Sequence, residues 1–256
     1  MVSDLASHHI TSLHVLDFGT FDVGPGRRTI GIPGFLLQTD RGARIMVDTG
    51  FPPDYATGPQ AALRDNLAAF GHLINFSARN TAAGQLALLG LTQGDIDLLI
   101  LTHSHIDHVG SLPLFTCPVL LTAAERSEPR PLYFGTSRPM DWPDLPYQTI
   151  TADTTICHGL TAIPTPGHTP GHLSVLVTRP TPVLIAADAI NRASEPDEGF
   201  PDAADPRAAA LSAARLSALV RDHSATLIWG HDPAQWPLLP KAPKPFDTAH
   251  VSEPTR

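Results

Sequence analysis

The sequence predicts an α/β protein in which a sandwich of two sheets carries a polar site along one edge. Short apolar runs of strand length recur along the chain, and several of them end in histidine or aspartate. A segment near the C terminus has the apolar spacing and the N-terminal cap of a helix. The 26 prolines and 19 glycines divide the remaining chain into short segments, which favours strands over long helices.

Composition sets the broad class of the protein. The chain has 256 residues, 42% of them hydrophobic, and no Ser/Gly-rich linker divides it, so we expect one domain over 1–256. Its core is expected at about 12–235, followed by a pendant Pro-rich tail at 236–256. Cys117 and Cys157 form no CxxC pair, which favours two buried thiols over a disulfide.

Charge and hydropathy exclude several partners. The formal net charge of −8 argues against a nucleic-acid partner, because binding to phosphates depends on a basic surface. No apolar run reaches the roughly 20 residues of a membrane span. The N terminus also lacks the basic and then apolar pattern of a secretory signal. We therefore expect no membrane partner and a cytoplasmic location.

The N-terminal half predicts a strand, a hairpin and two helices, in that order. The apolar segment 12–19 ends in glycine and indicates the strand. Segments 34–40 and 43–50 are joined by Arg-Gly and predict a hairpin. Helical spacing follows at 58–73 and at 80–90.

The middle of the chain alternates buried strands with an irregular segment. The run 98–101 is apolar throughout, which predicts a strand that is buried on both faces. A second strand is expected at 118–122. Segment 128–148 is rich in proline and aromatic residues without a clear period, which favours a surface loop that covers the site.

The C-terminal half continues the strand pattern. Segment 160–178 predicts two strands around a glycine-rich turn, and 182–190 predicts another buried strand. A helix is expected at 205–222, where Asp205 is a good N-cap. The last strand is predicted at 225–232.

The motif HSHIDH follows directly after the strand at 98–101 and places four metal-type ligands together: His103, His105, Asp107 and His108. In strand geometry His103 and His105 point to one side, which leaves Asp107 and His108 for a second point on the turn. Clustered imidazoles are costly to bury unless their nitrogens are satisfied. The motif therefore predicts a metal site, and its spacing favours two metals over one.

Three further ligands stand at the ends of other predicted strands. His168 lies in the glycine-rich turn of TPGHTPGH, whereas His172 begins the next strand and is expected to be structural. Asp188 ends one buried strand, where an unpaired carboxylate would be costly. His231 ends the last strand.

HSHIDH followed by His168, Asp188 and His231 resembles the metallo-β-lactamase superfamily, over about residues 12–235. This resemblance implies an αββα sandwich, two mixed sheets flanked by helices. It also implies two divalent metal ions, with zinc as the expected metal. His103, His105 and His168 would bind one ion, Asp107, His108 and His231 would bind the other, and Asp188 would bridge them.

Within the superfamily, GLTQGDIDLLILTHSHIDHVG and TPGHTPGHLSVLV are most similar to the N-acyl homoserine lactonase branch. The resemblance implies a small-molecule lactone or ester substrate and quorum quenching. Its mechanism is the attack of a metal-bridging hydroxide on the lactone carbonyl, and Asp107 would pass a proton to the departing alkoxide. Such lactonases often have a tyrosine three residues after the bridging aspartate, where this sequence has Asn191. Asn191 would donate a hydrogen bond to the substrate in its place.

Other positions receive weaker assignments. Asp48, in VDTG, is expected to form hydrogen bonds beneath the metals. Phe70, Tyr133, Phe134 and Trp142 lie in irregular segments and are candidates for an acyl pocket, with ordinary packing as the equal alternative. An exposed helix and loop near 58–90 would serve a homodimer.

Rival functions use the same scaffold. They comprise phosphotriester or aryl ester hydrolysis, glyoxalase II-like thioester hydrolysis, and a diiron redox or non-catalytic metal-binding role. Glyoxalase II normally adds a basic C-terminal helical domain, whereas only about 25 residues follow His231. The HSHIDH motif also has histidine where a diiron member usually has an acidic ligand.

Overall fold

Two mixed sheets pack face to face in the computed structural model, which describes residues 2–24, 28–131 and 138–247. Helices lie against the outer faces of both sheets. The predicted αββα sandwich is confirmed.

The larger sheet comes from the N-terminal part of the chain. Its strands, in chain order, are β1 (Ile10–Val23), β2 (Arg28–Thr39), β3 (Arg44–Val47), β4 (Gly71–Asn75), β5 (Leu98–Ile100), β6 (Val119–Thr122) and β7 (Tyr147–Ile150). Their spatial order is β4-β1-β2-β3-β5-β6-β7. Pairing is antiparallel from β4 to β3 and parallel from β3 to β7.

The smaller sheet comes from the C-terminal part of the chain. It contains β8 (Thr154–Cys157), β9 (Leu160–Pro164), β10 (Leu173–Val177), β11 (Val183–Ala187) and β12 (Thr226–Trp229). The spatial order is β12-β11-β10-β9-β8, and only the pair β11–β12 is parallel among these strands.

The helices are short, with one exception. They are α1 (Val2–Leu5), α2 (Pro59–Arg64), α3 (Ala82–Ala87), α4 (Ile106–Val109), α5 (Ala123–Arg126), α6 (Glu195–Glu198) and the long α7 (Pro206–His223). Asp205 caps α7 as predicted, because its side chain accepts a hydrogen bond from the backbone N–H of Ala208 at 3.0 Å. In the described parts of the chain, no helix combines the length and apolar character needed to cross a membrane.

Alternate residues of the central strands pack into different hydrophobic cores, one between the sheets and one outside each sheet. In β5, Leu98 and Ile100 belong to the core between the sheets, whereas Leu99 packs under the helices outside the larger sheet. In β11, Ile185 faces the inner core and Leu184 faces α7. Burial on both faces explains why these strands have continuous apolar sequences.

Strands β1 and β2 are longer than predicted and form a hairpin that was not predicted. The first predicted strand ended at Gly19 and the second began at Gly34, because glycine is typical of turns. In the structure Gly19 has φ of 95° and lies at a register shift between Asp17 and Thr20, so it forms a bulge within β1. Both strands continue past this bulge and form a long β1–β2 hairpin.

The helix predicted at 58–73 is wrong beyond Arg64. Asn66 adopts a left-handed conformation with φ of 58°, which ends helical geometry. The chain then forms β4, which pairs with β1 through Phe21 opposite Leu73. Pairing with an open sheet edge overrides the local helical pattern.

The irregular segment 128–148 is described only in part. Tyr133 and Phe134, two of the predicted acyl-pocket residues, lie outside the described residues. The end of the segment enters β7, which runs parallel to β6.

The C-terminal tail is not pendant over its described part, 236–247. The backbone N–H of Ala242 donates to the carbonyl of Val15 at 2.8 Å, and that of Phe246 donates to Leu13 at 2.7 Å. Leu239 and Phe246 are buried in the inner core. The described tail is therefore packed along β1, although its proline content had suggested a free segment. Cys117 and Cys157 are free and buried, as predicted.

We expect Phe246→Ala to lower the free energy of unfolding by about 3 kcal/mol, because it opens a cavity in the inner core. Urea denaturation followed by tryptophan fluorescence measures this change. Leu238→Ala is the matched control: Leu238 is 51% exposed and should cost less than about 0.5 kcal/mol. An equal, small effect of both variants would mean that the tail does not pack against β1.

Candidate metal centre

The ligand-type side chains lie where strands of both sheets end at one edge of the sandwich. His103 follows β5, Asp188 follows β11 and His231 follows β12. His168 lies in the turn between β9 and β10. Strands of both sheets thus bring together residues that are more than one hundred positions apart in sequence.

Seven side chains form two groups. One ligand atom from each residue lies within 4.8 Å of the others in its group. The first group contains His103, His105, His168 and Asp188, and the second contains Asp107, His108 and His231. The six ligand-type residues other than Asp188 divide as the sequence resemblance implies, and Asp188 falls with the first group.

Asp188 lies between the two groups, with one carboxylate oxygen toward each. Its Oδ2 is 3.2 Å from His168 Nε2 and 3.8 Å from His103 Nε2. Its Oδ1 is 3.2 Å from His231 Nε2 and 3.4 Å from His108 Nε2. The carboxylate thus turns one oxygen to each group, an arrangement that would suit a pair of cations.

The residues fit two divalent metal ions. Within the described residues, His103 Nε2, His108 Nε2 and Asp188 Oδ1 are buried and have no hydrogen-bond partner. Such atoms are costly to leave unsatisfied, and a metal ion satisfies them at once. Imidazole nitrogens with few carboxylates suit borderline divalent metals.

Asp48 orients the second group from below, as predicted. It is buried, has φ of 61°, and accepts hydrogen bonds at 2.8 Å from His108 Nδ1 and from both the backbone N–H and the hydroxyl of Thr102. Because Nδ1 of His108 donates to Asp48, its Nε2 faces the cluster. A left-handed aspartate is uncommon, and here it aims the carboxylate at three donors.

Two further imidazoles, those of His103 and His231, are oriented in the same way. Since the Thr102 hydroxyl donates to Asp48, its oxygen accepts a hydrogen bond from His103 Nδ1 at 3.1 Å. His231 Nδ1 donates to the backbone carbonyl of Gly31 at 2.9 Å. In both residues Nε2 is left free to bind a metal.

His172 lies beside the cluster but supports it indirectly. Its Nε2 accepts the backbone N–H of Asp188 at 3.1 Å, and its Nδ1 donates to Thr165, whose hydroxyl donates in turn to Ser174. Burial lowers the pKa of His172 to about 3, so the ring is neutral. Both of its nitrogens are occupied, which leaves His168 as the ligand of this motif.

Glu125 ties the two ligand-bearing loops together, and the sequence analysis missed it. The carboxylate is 1% exposed and accepts hydrogen bonds from Ser104 N at 2.8 Å, Ser104 Oγ at 2.6 Å and Thr169 Oγ1 at 2.8 Å. Gly171 packs so closely that a Cβ there would lie 2.0 Å from Glu125 N. The pattern Thr-x-x-Glu signals a helix start, but this carboxylate turns to the loops instead.

The first group favours neutral imidazoles. Burial, followed by the neighbouring histidines, lowers the pKa of His103 well below its usual value. Burial likewise lowers the pKa of His168 well below its usual value, and it lowers that of His105. Neutral imidazole is the form that binds metals.

The second group favours protonated imidazoles. Burial acts to lower the pKa of His108, but the carboxylates of Asp107, Asp188 and Asp48 outweigh it and hold that pKa well above its usual value. At His231, burial also acts to lower the pKa, but Asp188 outweighs it and raises that pKa above its usual value. A metal ion that binds here has to displace a proton.

A cavity of about 570 Å³ opens over the cluster. Its floor contains His105, Asp107, His168, Asp188 and His231. Its walls come from the extended first hairpin, from the segment before β4 and from the loop after α6; they include Phe21, Val23, Arg28, Ile30, Phe70, Asn191 and residues 201–204. Phe70, one of the candidates for an acyl pocket, thus lines the cavity.

Trp142 does not line this cavity. Its indole N–H donates to the carbonyl of Glu128 at 2.8 Å, and its ring packs against Tyr147 and Arg126. The interactions hold it in the core outside the larger sheet. The structure therefore shows Trp142 as a packing residue, which was the alternative to its role in an acyl pocket.

Asn191 lines the cavity, and part of its hydrogen-bonding capacity is already used within the protein. Its side-chain amide Nδ2 donates to Glu195 at 3.3 Å, and its backbone N–H also donates to that carboxylate. Its Oδ1 is buried without a hydrogen-bond partner in the described parts of the chain. The amide nitrogen has a second N–H besides the one that it donates to Glu195, so the predicted donation to a substrate stays a prediction.

The wall residues Arg28 and Pro201–Ala204 were also missed. Arg28 was assigned to no element because β2 was predicted to begin later, and residues 201–204 have no periodicity. In the sequence, an isolated glycine such as Gly19 can mark a bulge within a strand instead of its end, and this is the signal that could have indicated the longer hairpin.

Comparisons with known proteins agree with this geometry. Residues 32–231 match the model of the family described as the metallo-beta-lactamase superfamily. An N-acyl homoserine lactonase, AttM, of Rhizobium radiobacter is 29% identical over 235 residues, covering 84% of this chain and 87% of the relative. The N-acyl homoserine lactonase AiiA of Bacillus thuringiensis subsp. kurstaki is 28% identical over 204 residues, covering 77% and 80%.

Solved structures share the fold. An N-acyl homoserine lactone hydrolase with the product N-hexanoyl-L-homoserine at its catalytic metal centre has a TM-score of 0.79 and 24% identity, covering 93% of this chain and 99% of its own. AidC, a dizinc quorum-quenching lactonase, has a TM-score of 0.60 and 19% identity, covering 95% and 97%.

We expect metal affinity to rise with pH until the pH exceeds the raised pKa values of His108 and His231, because both imidazoles lose protons when metal binds. The metal affinity should rise by up to about tenfold per pH unit for each proton that the metal displaces. Competition with a chromophoric chelator measures the affinity, and calorimetry in two buffers counts the released protons. An affinity independent of pH would contradict the raised pKa values.

We expect Glu125→Ala to destabilise the protein by about 3 kcal/mol, since it leaves the buried Ser104 N–H unpaired. Metal affinity should fall by about 10- to 100-fold as the loops loosen. Glu128→Ala is the matched control, because its carboxylate forms a partly exposed ion pair with Arg138, worth under about 1 kcal/mol. The interpretation fails if the two variants retain metal equally well.

Proposed function

The chain belongs to the metallo-beta-lactamase superfamily, and we propose that it is a metal-dependent hydrolase that opens the ring of N-acyl homoserine lactones. The observation that carries this proposal is Asp188, which turns one oxygen to each ligand group at the floor of a largely apolar cavity. Relatives named N-acyl homoserine lactonase support the choice of substrate.

Two divalent ions, with zinc as the proposed metal, would be held by His103, His105 and His168 and by Asp107, His108 and His231, with Asp188 between them. When bound, such a pair lowers the pKa of a water molecule and polarises a carbonyl oxygen. The second ligand group holds Asp188 ionised: burial opposes its charge, but His231 and His108 keep its pKa well below the usual value.

Asp107 is the proposed proton carrier. It lines the cavity, and its Oδ2 lies 3.4 Å from His231 Nε2 and 3.5 Å from His108 Nε2. In the reaction, water oxygen bonds to the lactone carbonyl carbon and the bond from that carbon to the ring oxygen breaks. The departing alkoxide needs a proton, which Asp107 takes from the attacking water and delivers.

The cavity walls suit an acyl chain. Phe21, Val23, Ile30 and Phe70 present apolar side chains next to the catalytic floor. A volume of about 570 Å³ lies within the usual range of small-molecule sites. Apolar walls exclude water from the chain and orient the lactone ring toward the cluster.

Other sequence predictions accompany this proposal. Zinc as the native metal and a cytoplasmic location stay predictions. So do a homodimer, the absence of nucleic-acid binding and the organisation of 1–256 as one domain.

We expect the metal-loaded protein to release one proton for each N-hexanoyl or N-decanoyl homoserine lactone that it hydrolyses, measured by pH-stat titration. Asp188→Ala should lose metal, by elemental analysis, together with activity. Leu211→Ala, at a 68% exposed position on α7, is the control and should retain both. Two metals per chain without proton release would refute the proposed substrate, whereas metal retention in Asp188→Ala would refute the bridging role.

A further inference from the structure

The imidazole of His231 is aimed at the metal centre by a backbone carbonyl from the other sheet. Its Nδ1 donates to the carbonyl oxygen of Gly31 at 2.9 Å, and the ring is buried. Gly31 lies in β2 of the larger sheet, whereas His231 follows β12 of the smaller one. The position of the Gly31 carbonyl therefore sets the direction in which His231 Nε2 points.

Trp236 fills the space beside Gly31 that a side chain would take. Ile30 and Ile32 both pack outside the larger sheet, so residue 31 faces the opposite, inner side of β2. A Cβ at Gly31 would lie 2.0 Å from Cδ2 of Trp236, and 2.2 and 2.3 Å from two further atoms of the same ring. Gly31 pairs with Thr20 within the β1–β2 ladder and does not have a positive φ. The indole ring, and not the backbone conformation, therefore requires glycine at this position.

The turn that carries Trp236 begins at the residue after His231. Asp232 Oδ1 accepts the backbone N–H of Gln235 at 2.8 Å, and the Asp232 carbonyl accepts that of Trp236 at 3.0 Å. The buried side chain of Gln235 binds back to β12, because its Oε1 accepts the N–H of Trp229 at 3.0 Å. The indole ring is thus joined directly to the strand that His231 follows.

Lys241 holds the indole ring from the packed tail. Its Nζ lies 4.1 Å from the centroid of the Trp236 ring and donates to the carbonyls of Trp236 and Leu239, the latter at 3.1 Å. Lys241 also pairs with Val15 of β1 in an isolated parallel bridge. The ring therefore connects the tail to the strand whose carbonyl contacts His231.

We propose that Trp236 is a positioning residue for the second metal ion, the one that Asp107, His108 and His231 would hold. The indole ring keeps the Gly31 carbonyl in place, and this carbonyl aims His231 Nε2. Without the ring a cavity opens beside Gly31, so β2 can shift into it and the carbonyl moves with the strand. This inference rests on the proposed two-metal site and is independent of the lactone substrate.

The test is zinc binding, measured by competition with a chromophoric chelator in the absence of substrate. Wild type should bind two zinc ions. Trp236→Ala should retain the first and bind the second about 10- to 100-fold more weakly, which is the usual effect of losing support behind a metal ligand. Trp236→Phe keeps a flat ring against Gly31, so its zinc affinity should lie closer to that of wild type.

Phe246→Ala is the matched control, because it removes a buried aromatic ring from the same tail at the point where the tail pairs with Leu13. This variant should retain both zinc ions. An equal loss of zinc affinity in Phe246→Ala and Trp236→Ala would mean that the tail acts only through overall stability, and it would overturn the inference.

The variant His231→Ala separates positioning from general loosening of the fold. Because the ligand is already gone, adding Trp236→Ala should cause no further loss of zinc affinity. A further loss of about tenfold or more in this background would overturn the inference. Unchanged zinc affinity in Trp236→Ala alone would also overturn it. A wild-type protein that binds fewer than two zinc ions would instead overturn the proposed metal centre.

Gly31→Ala tests the same contact from the opposite side and replaces Trp236→Ala if that variant does not fold. Its methyl group has to displace the indole ring, so the second zinc ion should again bind about 10- to 100-fold more weakly. In a Trp236→Phe background, where the ring is smaller, the same methyl group should cost less. Wild-type zinc binding by Gly31→Ala would overturn the role of this contact.

Discussion

The structure depends on the burial of Asp188 between two groups of imidazoles. A carboxylate that is 6% exposed has to face cations on both sides, or it would destabilise the fold. Ala187 adopts φ of 47° to turn it, and Gly230 leaves room, because a Cβ there would lie 2.8 Å from Asp188 Oδ1. Local backbone strain at the end of β11 is thus coupled to the metal centre.

A layer of buried polar residues connects Asp188 and the other ligand-bearing loops to one another by hydrogen bonds. Asp48 joins the end of β3 to the motif after β5, Glu125 joins that motif to the turn before β10, and His172 joins this turn to Asp188. Each bond connects segments that are distant in sequence. The loops are therefore held in place by side chains whose own hydrogen bonds are satisfied, which preorganises the ligands without a metal.

The ligands were predictable because each follows an apolar strand, and such strands end at a shared edge. The αββα fold followed from the same pattern and from the resemblance that HSHIDH, His168, Asp188 and His231 carry. Glu125 was not predictable, because a single glutamate after Thr122 looks like an ordinary cap. The longer hairpin and the packed tail were missed because glycine and proline were taken as chain breaks, whereas tertiary pairing uses them within β1 and along it.

The floor and the walls of the cavity differ in how strongly the fold determines them. Floor residues at the strand ends are fixed by both sheets and by the buried layer beneath them. The walls come from the hairpin tip and the loop at 201–204, which are linked across the mouth by Arg28, Arg192 and Asp202. Changes in these two segments would alter the cavity walls without moving a ligand-type side chain, because neither segment contributes one. The ligand-type residues and the cavity walls thus come from separate parts of the same fold.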